Sequence, residues 1–357
     1  MKQSLFLLLT IAVLIVDAGA FGLPEELEDA LPEVAETYLE DADLSGTDGF
    51  LRSLGSLAGQ AGEQLNSIVR QRIKGATSML LVVVLCGVTE GILGGSGSKQ
   101  PVFSMAGALT ISLLTAGSLD QLIGLGADTI RELTLFSKAL LPTLAAATAT
   151  SGALVTATVQ QVTTVFLVDV LLNLISTCLL PLVYLYIGAL TASCCLQDGR
   201  IGLVAETLRK GLVLVLKGML IGFTVYLSMV HIVSGAADGT KVRLAKSAIS
   251  GVVPVVGKVV ADAAETVLAG AGMLKNTIGM FGMLGIFSLC IHPFVQLGVQ
   301  YLLYKISAFL AGMIGSPGIC KLIDGLGSAF GLVLGMTGAC AMLLLVSVLA
   351  LIAAVIP

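Results

Sequence analysis

Apolar residues gather in five long windows, 76–93, 165–193, 211–233, 277–303 and 328–356. Each can supply the ~20 residues of helix that cross a ~30 Å hydrocarbon core. A weaker window at 102–126 carries Asp120 near its end. The stretches between are of a different kind. Across 54–73, Leu54, Leu57, Ala61, Leu65, Ile68 and Ile73 recur at helical spacing, with Gln60, Glu63, Gln64, Arg70 and Arg72 on the other face. That pattern predicts an amphipathic helix on the membrane surface, followed by a first span at 76–94. Residues 127–139 are charged and helical in pattern, and are expected on a surface. Residues 140–164 are rich in Thr and Ala and would make a poor lipid-facing span. Residues 201–210 read as a short amphipathic piece, GSPG at 315–318 as a turn, and the following KLIDGLG as a short helix. The pattern predicts an all-α polytopic membrane protein with six to eight crossings.

Composition points the same way. Of 357 residues, 56% are hydrophobic and 12% charged, with a mean hydropathy of +1.00. Soluble domains carry about twice that share of charge, roughly 25%. The 42 glycines allow close helix approach. The seven cysteines, Cys86, Cys178, Cys194, Cys195, Cys290, Cys320 and Cys340, form no C-x-x-C and sit in or beside apolar segments. They read as small apolar side chains rather than a disulfide framework or a zinc site.

The N-terminal region differs from the rest. Lys2 precedes an apolar run, Leu5–Val16, and Ala18-Gly19-Ala20 follows. These parts make a signal peptide over 1–20, which would put the mature N-terminus outside the cytoplasm. Residues 21–51 then hold ten acids and no base, whereas from Arg52 onward 18 bases outnumber 12 acids. The expected plan is therefore a signal peptide (1–20), an acidic extracytoplasmic segment with the amphipathic helix (21–74), and a membrane domain (75–357). Orientation is not fixed by charge, because Arg200, Arg209 and Lys210 flank one end of the 211–234 span and Lys241, Arg243 and Lys246 the other.

An internal repeat with an offset of 112 is expected inside the membrane domain, covering 140–236 and 252–356. Pro142 matches Pro254, Pro181 matches Pro293, and Ser176-Thr-Cys-Leu-Leu-Pro181 aligns with Ser288-Leu-Cys-Ile-His-Pro293. The four prolines are read as helix breakers. In repeat-built transporters, interrupted segments at corresponding positions point to the binding site. Here the pair is 140–164, which offers hydroxyls, and 250–279, which offers charges.

The second of these holds the main candidate residues. On a helix, Lys258 and Asp262 are four apart and Asp262 and Glu265 three apart, so all three share a face. Glu265 is left for another partner, such as Lys275 beyond a bend at Gly270–Gly272. Ionisable groups at membrane depth cost about 2.5–3.5 kcal/mol each on insertion scales and persist where they pair or line water. Two placements fit, an interfacial helix or a re-entrant cavity-lining element. Asp169, within an apolar span, is a further pathway candidate facing the bundle interior, with Asn173 one turn later. His231 and His292 read as satisfied interior histidines. No metal-ligand motif, P-loop, nucleophile elbow or dinucleotide fingerprint occurs, so neither an enzyme nor a cofactor is expected. Nucleic acid is not an expected partner either; the lipid bilayer is.

Over VPVVGKVVADAAETVLAGAGMLKNTIG (253–279) and SGAADGTKVRLAK (234–246), the chain resembles the stage III sporulation protein AE family of endospore-forming bacteria. The order of segments fits as well. The resemblance implies a polytopic, permease-like subunit of a complex in the mother-cell membrane around the forespore. Its implied partners are other products of the stage III sporulation A operon, among them an ATPase, a ring-forming protein and further membrane subunits. Stage II sporulation protein Q in the forespore membrane is implied as an indirect partner. The implied role is a channel or export gate needed for late forespore development, and the family brings no catalytic residues. An ion-coupled transporter acting alone and a membrane scaffold are the alternatives.

Overall fold

The computed structural model describes residues 47–93, 102–150, 155–196, 199–238, 256–314 and 317–353. At 155–161, 230–238, 256–275 and a few helix ends it describes the backbone alone. The expected signal peptide, most of the acidic segment, and Pro254 lie outside the described residues. Every described element is helical: α1 (Thr47–Leu93), α2 (Val102–Thr150), α3 (Val155–Leu174), a π-helical turn (Ile175–Leu179), α4 (Leu180–Leu196), α5 (Gly199–Asp238), α6 (Val256–Ile314) and α7 (Pro317–Ala353). Six stretches are long and apolar enough to cross a membrane, with α3, the π turn and α4 acting as one. A helix satisfies all its own backbone groups, which makes it the one open-ended element hydrocarbon tolerates.

Several pieces expected to be separate are single helices. The amphipathic stretch 54–73 and the span 76–94 join in α1, and 201–210 runs on into the next span in α5. The expected surface helix 127–139 is the middle of α2. Its Ile130, Leu133 and Phe136 are fully buried while Asp128 and Arg131 face outward. Likewise α6 runs unbroken through Gly270 and Gly272, where a bend was expected, and α7 absorbs KLIDGLG. At 1.5 Å per residue, the 59-residue α6 is about 88 Å long, nearly three hydrocarbon cores.

The prolines do not break the helices either. Pro142 and Pro293 lie inside α2 and α6. Pro181 is the second residue of α4, two residues after the end of the π turn. A proline ring crowds the carbonyl four residues earlier and offers it no N–H. The wider π turn at Ile175–Leu179 gives the Thr177 carbonyl that room.

The bundle centres on α6 and α7, an antiparallel hairpin in which Lys305 reaches Asp324 and Gly279 meets Ile352. In the most apolar window of each, 61% of residues are buried inside the bundle, against 17% in α1 and α5. The core therefore sits on α7, whose Ile323, Phe330, Val333, Met336, Cys340 and Leu344 are fully buried. Around the pair, α2 packs on both, α4 and α5 pack on α7, and α1 packs on α6 and α2. Close approach relies on glycine: an added Cβ at Gly282 of α6 would lie 2.6 Å from Leu140 Cδ1 of α2, and one at Gly325 of α7 would overlap Leu190 of α4.

Candidate functional site

The site forms where α2 and α3 diverge. Lys138, on the outer face of α2, lies opposite Asp169 of α3, with Nζ 4.0 Å from Oδ1. That distance makes an ion pair and is too long for a hydrogen bond. Asp169 Oδ1 is buried and accepts no hydrogen bond from the protein. Asn173 does not help it, because its Nδ2 donates to the backbone carbonyl of Asp169 at 2.9 Å. The pair helps line a cleft of about 570 Å³, whose apolar wall is built by Leu141, Pro142, Ala145, Val162, Val165 and Phe166.

Two residues singled out by sequence, Asp169 and Pro142, thus meet in one cleft, though they are not neighbours in the chain. Asp169 is half-exposed in it and does not face the sealed interior as expected. Pro142 adds something beyond shape. It has no N–H to give the carbonyl of Lys138, four residues earlier, so that oxygen loses its helical donor beside the ion pair. An apolar cleft with a cation, a carboxylate oxygen and a released carbonyl suits a solute or headgroup with both polar and apolar parts.

Of the hydroxyls expected of 140–164, Thr143 and Thr148 are spent on their own helix, and the side chains of Thr150, Ser151, Thr156 and Thr158 lie outside the described residues. Thr143 donates to the Ala139 carbonyl and Thr148 to the Ala145 carbonyl, each at 2.7 Å on its own helix. Lys258, Asp262, Glu265 and Lys275 lie on the first third of α6, where only the backbone is described. No cluster of three or more metal-ligating side chains occurs among the described residues.

Two polar assemblies escaped sequence reasoning. At the α6–α7 hairpin, Lys305 donates to Asp324 Oδ1 (2.6 Å) and Ser328 Oγ (3.0 Å), with its ammonium 5.8 Å from the Tyr301 ring centroid. Between α1 and α6, Arg72 meets Gln296, and His292 meets both Gln64 and Gln296. The second had a signal in the sequence: His292, Gln296, Gln300 and Tyr304 recur every four residues within an apolar span.

Fold and site together define a class, the multi-pass helical membrane protein with charged side chains held in clefts between its helices. The chain belongs to the stage III sporulation protein AE family, whose profile matches residues 51–355. It is 23% identical over 253 residues to Stage III sporulation protein AE of Bacillus subtilis (strain 168), covering 69% of this chain and 62% of that protein. The match thus spans less than two thirds of the relative's length. No solved structure matches the chain.

Proposed function

We propose that the chain is the channel or export-gate-like membrane subunit of a sporulation complex that links mother cell and forespore and sustains late forespore development. Family membership over residues 51–355 carries this reading. Six helices long and apolar enough to cross a membrane support a multi-pass subunit rather than a peripheral one. In this reading the chain resides in the mother-cell membrane around the forespore, with its mature N-terminus outside the cytoplasm. Its partners are the ATPase, the ring-forming protein and the other membrane subunits of the same operon, and through them stage II sporulation protein Q. The chain carries no nucleotide-binding motif of its own, so the driving energy comes from a partner or an ion gradient.

The face of α6 that bears Lys258, Asp262 and Glu265, with Lys275 beyond it, and the Asp169 cleft are the proposed pathway surfaces. Residues that line a path must be charged for the transported solute and need not hold the fold. Strains expressing Lys258→Ala, Asp262→Ala or Glu265→Ala in place of the native chain should assemble the complex, judged by co-purification, yet form few heat-resistant spores. Normal spore counts from all three would remove these residues from any pathway. Loss of assembly would instead make the chain a scaffold.

A further inference from the structure

The polar residues between α1, α2 and α6 form two adjoining groups along one row of α6, and the hydrogen bonds of the first can be assigned in direction. Arg72 Nη2 donates to Gln296 Oε1 at 3.3 Å. The Gln296 amide nitrogen then faces His292 Nε2 at 2.8 Å and donates to it. His292 is thereby a neutral imidazole with its proton on Nδ1, which donates to Gln64 Oε1 at 3.3 Å. One and two turns further along α6, Gln300 and Tyr304 continue the row, each step of four residues turning about 40° around the helix. The Tyr304 phenol lies beside Ser118, Gln300 and Thr115. The Thr115 and Ser118 hydroxyls spend their protons on the carbonyls of Ile111 and Thr115, leaving lone pairs for the phenol.

Two groups in this seam have no hydrogen-bond partner among the described residues. Gln300 is 5% exposed, and its Oε1 is buried without a donor. Arg72 Nε is buried without an acceptor. The first needs a donor and the second an acceptor, and Gln296, which Arg72 meets, lies one turn from Gln300. A buried polar atom left unpaired costs about 1–3 kcal/mol, so two in one seam are not retained without a ligand. A metal cation would satisfy Gln300 but would be repelled by Arg72, which has no carboxylate within ion-pair distance among the described residues. An anion would suit Arg72 but not a bare amide oxygen. Water both donates and accepts, and buried waters typically bind two to four polar groups of this kind.

We propose that the α1–α2–α6 seam is an internal water-binding site, with ordered water at Gln300 Oε1 and at Arg72 Nε and reaching Tyr304. The site stands apart from the α2–α3 cleft and does not depend on the proposed function. X-ray hydroxyl-radical footprinting of the purified, folded protein tests it, because radicals formed from bound water mark the side chains beside it. Tyr304 and Tyr186 are each 2% exposed, and the Tyr186 phenol is satisfied by the Gly325 carbonyl at 2.9 Å. Tyr304 should be oxidised well above Tyr186. Gln300→Leu should remove the excess at Tyr304 and leave Tyr186 unchanged. Equal labelling of the two tyrosines in the native chain would overturn the proposal, whether or not the variant folds. So would undiminished Tyr304 labelling in a folded Gln300→Leu protein.

Discussion

Lys138 of α2 and Asp169 of α3 face each other across the α2–α3 cleft with Nζ 4.0 Å from Oδ1. Both side chains are more than a third exposed, at 54% and 39%. A pair so exposed contributes only about 0.2–1 kcal/mol. Asp169→Asn should therefore shift unfolding by less than about 1 kcal/mol. A double-mutant cycle with Lys138→Met, read by chemical denaturation in detergent, checks this. A markedly larger coupling would show that the pair holds α2 to α3 and is structural.

The hairpin contact at Lys305 should behave differently. Lys305 has two side-chain acceptors, Asp324 Oδ1 and Ser328 Oγ, a third in the Asp324 carbonyl at 3.2 Å, and the Tyr301 ring. Lys305→Met removes all of these, whereas Asp324→Asn keeps a side-chain oxygen that can accept, the other two acceptors and the ring, and removes only the charge. The first should cost more stability than the second, by roughly 1 kcal/mol. Thermal unfolding of the two variants measures the order, and the reverse order would mean that the Asp324 charge dominates.

Close helix approach makes some glycines irreplaceable and others not. At Gly282 an alanine Cβ would sit 2.6 Å from Leu140 Cδ1 and 2.7 Å from Cδ2, and Leu140 is fully buried, so it cannot swing away. Gly282→Ala should cost about 1–3 kcal/mol, the usual range for overpacking. Gly222 of α5 has nothing within 4 Å of a built Cβ. Gly222→Ala should be neutral or stabilise by up to about 1 kcal/mol through helix propensity. Melting temperatures that move together in both variants would contradict the packing.

The π turn predicts a local effect. Pro181 lies two residues after the π turn Ile175–Leu179, and its lack of an N–H denies the Thr177 carbonyl a normal helical donor. Pro181→Ala restores that N–H and lets the turn close as α-helix. Hydrogen exchange over 175–182 should slow in the variant. Unchanged exchange would mean that packing around the buried Ile175 and Leu179, not the proline, sets the π turn.

What the sequence made legible followed from local pattern. The apolar windows located the long helices, and the lone Asp169 in LVDVLLN marked the cleft. Element boundaries were harder. The amphipathic pattern of 54–73 suggested a boundary between a surface helix and the span at 76–94, but no proline or capping residue stops the helix there, and α1 continues through Gly75. At 127–139, charges on one face hid the fully buried Ile130, Leu133 and Phe136 on the other. Of the α1–α6 seam, the sequence shows only the α6 half, the row of polar residues from His292 to Tyr304. Arg72 and Gln296 are 224 residues apart, and only tertiary packing brings them together. Pro142 and Pro293 were read as breaks but lie inside continuous helices, because neighbouring helices can support an interrupted backbone ladder.

The central claim, that the chain forms part of a conduit whose surface includes the charged face of α6, is tested most directly by cysteine labelling in sporulating cells. Single cysteines at positions 258, 262 and 265, in a chain with its seven native cysteines replaced, are exposed to a membrane-impermeant thiol reagent within the assembled complex. The account predicts labelling at all three positions, one-sided access, and loss of heat-resistant spores on modification. Complete inaccessibility at all three, with sporulation intact, would contradict it.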